Sequence, residues 1–184
     1  MVHTERIRPI SIGFLVMITA AVVLVLDPRG MAEAEIQPQC RGVTATIVGT
    51  PGDDDLDGTP GRDVIVGRGG DDDIEGKGGR DLICGGPGED EIEGGPRNDR
   101  IYGGTGSDEI EGDGGNDRLV GGRGNDDIEG DGGRDRVLGG AGRDDLEGDR
   151  GNDFLNAGTG KDKGNGGPGT DTCRRVEVRR SCER

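Results

Sequence analysis

From Gly49 to Arg174 a nine-residue unit repeats fourteen times without a gap, and aspartate holds its sixth position in every copy. The unit reads G-G-x-G-x-D-x-U-x, with U a large aliphatic residue; a clean copy runs from Gly103 through Asp108 and Ile110 to Glu111. The repeated aspartates are Asp54, Asp63, Asp72, Asp81, Asp90, Asp99, Asp108, Asp117, Asp126, Asp135, Asp144, Asp153, Asp162 and Asp171. Glycine opens thirteen units, Ala157 being the exception, and fills the fourth position in thirteen, where Arg97 is the exception. The eighth position is Leu, Ile or Val in the first twelve units, then fails at Gly164 and Cys173. One such unit cannot bury its single aliphatic side chain alone, so the units must stack on one another. A carboxylate placed after a glycine turn at every repeat is the pattern of a recurrent cation site, because glycine lets the turn carbonyls approach an ion.

The nonapeptide resembles the calcium-binding repeat of RTX (repeats-in-toxin, haemolysin-type) proteins, in a stand-alone secreted form without the protease, lipase or pore-forming domain that often precedes it. The resemblance covers residues 49–174, about two thirds of the chain. It implies an all-β fold, a right-handed parallel β-roll with two nonapeptides per coil and about seven coils. It further implies calcium ions held between same-side turns eighteen residues apart. Asp72 should then pair with Asp90, Asp90 with Asp108 and Asp81 with Asp99, giving up to six sites per side and twelve in all, with the end sites at Asp54, Asp162 and Asp171 least defined. The competing reading is that the aspartates only hydrogen-bond their own turns, as aspartate commonly does. Fourteen in fixed register favour the metal. Calcium suits this all-oxygen set better than magnesium, which demands tight octahedral geometry. Zinc has no ligand set, since the only histidine is His3 and the cysteines lack ligand spacing.

Composition agrees with a fold that depends on its ions. The chain holds two Phe, one Tyr and no Trp, and 41 glycines, so no ordinary core is available. Apolar burial alone is small beside the entropy of ordering so much glycine backbone. Folding should therefore be coupled to metal binding. A net charge of −15 argues against nucleic acid and favours cations or a basic partner.

Four segments follow. Residues 1–34 read as a secretion signal, with Arg6 and Arg8 at the start, a mostly apolar run from Ile10 to Leu26, and cleavage expected after Ala34. An uncleaved anchor is the alternative, and with cleavage no membrane contact is expected. Residues 35–48 form an N-terminal cap segment whose Thr46-Ile47-Val48 fits a strand. Residues 49–174 are the roll, and residues 175–184 a basic C-terminal cap segment. Solenoids need such atypical ends to cover their open cores and edges.

An eighteen-residue alternation supports two units per coil independently. Positions seven and nine flank the inward aliphatic and point outward. Odd units carry Asp55/Asp57, Asp73/Glu75, Glu91/Glu93, Glu109/Glu111, Asp127/Glu129 and Asp145/Glu147; even units carry Val64/Val66, Leu82/Cys84, Arg100/Tyr102, Arg118/Val120, Arg136/Leu138 and Phe154/Asn156. One outer face should be acidic and the other apolar at its start and arginine-rich beyond. The acidic face reads either as a solvated surface or as a docking surface for a cationic partner or a second copy. The N-terminal cap segment with Ile36 should fold over the apolar start of the other face. Four cysteines fit an oxidising compartment and allow three pairings; Cys173–Cys182 and Cys40–Cys84 are favoured, with Cys84 as a plain outward apolar residue the alternative.

The expected function is a secreted, extracellular calcium-binding roll that folds on export. A calcium-rigidified structural or adhesive cell-surface spacer is the alternative. A calcium-dependent polysaccharide-active enzyme is the minor one. Without a histidine beyond His3, and with serines only at Ser11, Ser107 and Ser181, no nucleophile–base pair can be assembled, so no enzyme is expected.

Overall fold

The structure is a computed structural model that describes residues 22–26, 32–36 and 38–182. It divides into two units, Met1–Ile36 and Gln37–Arg184. In the first, Val22–Leu26 pairs antiparallel with Ala32–Ile36, placing Val22 opposite Ile36. The remainder of the expected leader lies outside the described residues, as does the side chain of Ile36. No helix among the described residues is long and apolar enough to cross a membrane.

The second unit is a parallel β-solenoid. In odd units the three-residue strands follow from the repeat, set between the aspartate turn and the next unit's glycine, whereas even-unit strands from Leu82–Pro87 to Phe154–Gly160 run on through the opening residues of the next unit. Strands of odd units stack into one eight-stranded sheet, from Asp55–Asp57 to Val178–Arg180. Strands of even units stack into a second, from Ile47–Val48 to Thr172–Arg174. Neighbouring rungs are parallel and offset by one coil of eighteen residues: Glu91 pairs with Glu109 and Arg100 with Arg118. Fourteen units therefore wind about seven coils.

The core is a single file of eighth-position side chains, taken alternately from the two sheets. Ile65, Ile74, Ile83, Ile92, Ile101, Ile110, Leu119, Ile128, Val137, Leu146 and Leu155 are all fully buried. Each contacts the rung before and after it, so truncation in mid-column, such as Ile110→Ala, would cost about 2–5 kcal/mol.

The two corners of each coil are built differently. Turns of odd units from Gly67 onward hold positions two and four at strongly positive φ, 135° at both Gly104 and Gly106. A side chain at Gly106 would run into the carbonyl of Gly88 one coil back. Turns of even units instead put position two in the ordinary left-handed region, φ 62° at Asp113, 61° at Asp131 and 59° at Asp149, which aspartate tolerates. Odd units from Gly86 onward accordingly keep glycine at position two, whereas several even units carry Lys or Asp there.

Both ends are capped by continuing the ladder. Ile47 and Val48 pair with Ile65 and Val66, Ala45 stands where a repeat aspartate would, and the Thr46 hydroxyl oxygen accepts from the backbone N–H of Val64 at 2.9 Å. Cys40 and Ala45 pack on Val64, Val66 and Leu82, covering the apolar start of the even face as expected. At the far end Val178–Arg180 adds a last strand beside Lys163–Asn165. The aliphatic missing at Gly164 is supplied from outside the repeat: Val176 is buried against that glycine, and Cys173 occupies the core file itself. The regular roll thus extends past the point where the eighth-position pattern fails. Disulfides join Cys40 to Cys84 and Cys173 to Cys182, fastening each cap to the body of the roll.

Candidate metal centre

Each repeat aspartate sits where turn becomes strand, and the coil geometry links it to the aspartate eighteen residues away. The backbone N–H of each donates to the Oδ1 of the next one on the same side. Along the odd side Asp72 donates to Asp90 at 3.1 Å, Asp90 to Asp108 at 3.2 Å and Asp108 to Asp126 at 3.1 Å. Along the even side the same link is shorter: 2.7 Å from Asp81 to Asp99, 2.7 Å from Asp99 to Asp117 and 2.8 Å from Asp117 to Asp135. Asp54 and Asp63 start these two chains, and Asp162 and Asp171 end them. All the repeat aspartates from Asp63 to Asp171 are buried, while Asp54 is half-buried.

The second carboxylate oxygen is the informative atom. Oδ2 of Asp72, Asp81, Asp90, Asp99, Asp108, Asp117, Asp126, Asp135, Asp144, Asp153 and Asp171 is buried and has no hydrogen-bond partner. A buried acceptor left without a donor costs about 1–3 kcal/mol, and more when it is charged. Repeating that cost through the whole roll is intelligible if the oxygens serve a cation. The glycine that opens each unit marks the space: a Cβ built at Gly148 would lie 2.9 Å from Asp153 Oδ2 and 2.9 Å from the carbonyl oxygen of Gly166. At Gly130 the same Cβ would meet Asp135 Oδ2 and the Gly148 carbonyl, both at 3.1 Å. A carboxylate oxygen of one coil and a carbonyl oxygen of the next thus converge on a volume that the opening glycine leaves open, Ala157 being the one side chain carried at that position. The donors are all oxygen, which fits a hard divalent cation of calcium's size and preference.

Electrostatics point the same way. Burial pushes the carboxyls of Asp99, Asp108 and Asp117 up to about 7 and those of Asp90, Asp135, Asp144 and Asp153 up to about 6. Asp72, Asp81 and Asp126 move up for the same reason. The N–H bond from the preceding coil opposes the rise without cancelling it, because burial removes the water that would stabilise the anion.

Besides that of Asp162, whose Oδ2 is not among these buried unpartnered oxygens, the first two turns depart from this pattern. In the first, Asp54 Oδ2 accepts from the backbone N–H of Thr50 at 2.5 Å. In the second, Asp63 Oδ2 accepts from the Thr59 N–H at 2.8 Å and from its hydroxyl at 2.7 Å. Here the turn's own threonine satisfies the oxygen that later turns leave bare. The signal was present as Thr-Pro-Gly at residues 50–52 and 59–61, in place of the usual glycine-rich turn.

A further acidic row also escaped the repeat reading. The left-handed position of even units carries Asp113, Asp131 and Asp149 at the rim of the acidic sheet. Carboxylate oxygens of Glu129, Asp131 and Asp149 lie within 4.8 Å of one another. Burial, then the charges of Asp113 and Asp149, raise the Asp131 carboxyl.

A search of the curated proteins found no match to this chain. The RTX calcium-binding nonapeptide repeat matches it in four copies, at residues 48–83, 85–119, 111–146 and 138–173, the stretch that carries every repeat aspartate. Residue pattern, coil geometry and this match agree: the chain belongs to the RTX calcium-binding nonapeptide repeat family.

Proposed function

We propose that this chain is a secreted, non-catalytic calcium-binding roll that completes its folding when it meets extracellular calcium. The observation that carries the reading is the file of buried, unpartnered Oδ2 atoms from Asp72 to Asp153 on both sides of the roll. These aspartates, with the carbonyls of the opening glycines one coil on, would hold the ions. Bound calcium supplies the positive charge and the oxygen-coordination demand that such a site needs. The chain's own part is to hold each carboxylate by one oxygen, through the N–H of the preceding coil, and leave the other free. Before folding, the aspartates are solvated and the glycine-rich chain stays extended. Sites of the modest class, about 10⁻⁴–10⁻³ M, would stay unfilled inside a cell and fill outside it.

Secretion is supported by the leader pattern in residues 1–34 and by the two disulfides, which form in oxidising compartments. Far-ultraviolet circular dichroism with calcium and with excess chelator tests the reading. β-rich signal in calcium that collapses in chelator is expected. A β spectrum unchanged in chelator, with no metal retained, would overturn it.

A further inference from the structure

The two broad faces of the roll carry opposite charge at one spacing. On the odd sheet, Glu91, Glu109 and Asp127 form one straight column and Glu93, Glu111 and Glu129 another. On the even sheet, Arg100, Arg118 and Arg136 form a column in the same coil-to-coil register. Among the described residues the side-chain ion pairs are those of Lys77 with Asp57 and Glu75 and of Lys163 with Asp145; the three arginines pair with no carboxylate there. Arg136 lies 4.8 Å over the Phe154 ring, which holds its guanidinium against the face. Val120 and Leu138, half-buried, run beside Arg118 and Arg136.

The N-terminal cap segment shows that this face accepts a cover. It seals the apolar rungs at Val64, Val66 and Leu82, and Arg41 reaches 4.8 Å over the Tyr102 ring. The arginine rungs beyond have no such cover among the described residues. A matching surface exists on the same molecule. Both sheets are wound by one solenoid, so their rungs share one pitch, about 4.8 Å per strand. An arginine column laid on a carboxylate column therefore stays in register rung after rung, which a partner of unrelated spacing would not. Separate columns of like charge repel within each face, and opposition of the two relieves both.

We propose that the Arg100–Arg118–Arg136 face of one calcium-loaded roll docks on the Glu/Asp face of a second copy. The two patches lie on opposite faces, so the contact is heterologous and repeats into an open side-by-side stack of rolls. The inference rests on the calcium reading, because the turn carboxylates must be neutralised before molecules of net charge −15 can approach.

Sedimentation velocity of the calcium-loaded full chain tests this, at about 20 mM and about 500 mM monovalent salt, where screening lengths differ several-fold. Four samples are compared: wild type, Arg100→Glu/Arg118→Glu/Arg136→Glu, a variant with both acidic columns reversed (Glu91→Lys/Glu93→Lys/Glu109→Lys/Glu111→Lys/Asp127→Lys/Glu129→Lys), and an equimolar mixture of the two variants, each checked for β signal by circular dichroism. Wild type should form concentration-dependent larger species at low salt that dissolve at high salt. Each variant alone, with two faces of like charge, should be monomeric. The mixture should assemble again. A folded wild type that stays monomeric at low salt overturns the inference, as does assembly that survives both reversals. A monomeric wild type that binds immobilised polyglutamate through the arginines overturns the second-copy assignment in favour of an anionic polymer. A chain with no β signal in calcium overturns the calcium reading as well, whereas a folded monomer overturns this inference alone.

Discussion

The turns at Asp54 and Asp63 and those from Asp72 onward place the same side chain at the same point of the same coil, yet leave it in different chemical states. In the first coil the second carboxylate oxygen is closed by Thr50 or Thr59. In the turns of Asp72 to Asp153 it is buried and open. The closed pair lies next to the Cys40–Cys84 disulfide and the small cluster of Cys40, Val64, Val66 and Leu82. One end of the roll is thus held by hydrogen bonds, a covalent link and apolar packing, and the body by carboxylates that need a partner. A repeat aspartate accordingly has its second oxygen capped by its own turn or left bare, depending on what stands four residues before it.

The largest expected effect separates these regions directly. Chelation should abolish β structure over residues 67–174 while hydrogen-exchange protection persists longest around Ile65 and Val66. Uniform loss of protection across both regions would erase the distinction. Next in size are the aspartates themselves. Asp108→Ala should raise the calcium midpoint of folding several-fold, because it removes a proposed ligand and the Oδ1 that accepts from Asp90. Asp63→Ala should leave that midpoint nearly unchanged and instead lower stability by roughly 1–3 kcal/mol, the worth of the Thr59 hydrogen bonds to a charged acceptor. Equal midpoint shifts in the two variants would show that the first coil binds like the rest.

A pH titration sharpens the contrast. The mid-roll carboxyls are raised in the folded, metal-free state above their unfolded value. Their contribution to metal-free stability is therefore fully present below about pH 4 and is lost as pH rises through about 6–7. In chelator, acidification from pH 8 to 5 should increase β signal; in calcium, the midpoint should rise over the same range as protons compete for the ligands. A β signal in chelator that falls on acidification would contradict the burial of these groups. The smallest effects are expected from single exposed or capping atoms. Thr59→Val removes one hydroxyl bond to Asp63 and should cost about 1 kcal/mol without moving the calcium midpoint. Glu109→Ala, outward-facing beside Asp108, should leave the midpoint unchanged or slightly lower it through reduced repulsion; a rise like that of Asp108→Ala would mean the two side chains share the site.

Much of this architecture was legible before any coordinates. Position six and position eight repeat every nine residues, so turn, strand and inward side chain followed from period alone. The alternation of carboxylate and arginine strands every eighteen residues placed two units in a coil, and the apolar start of one face led to the Cys40–Cys84 link. Other features depend on neighbours that no local period reveals. Gly164 looked like the end of the core, but Val176 fills its place because the chain turns back onto the last coil. The two corner types differ at position two, where Gly104 sits at φ 135° with the Gly86 carbonyl one coil back against it, while Asp113 sits at φ 62°, a conformation aspartate tolerates.

The sequence by itself determined the repeat, its aspartate register, the two-unit coil and the opposite charge of the two faces, because each is a periodic property of residues close along the chain. Only the tertiary structure decided which oxygen of each aspartate is engaged and which is left bare. That choice depends on a backbone N–H eighteen residues away and on whether a threonine or an open glycine turn stands beside the carboxylate, and distances between coils are not written in the period.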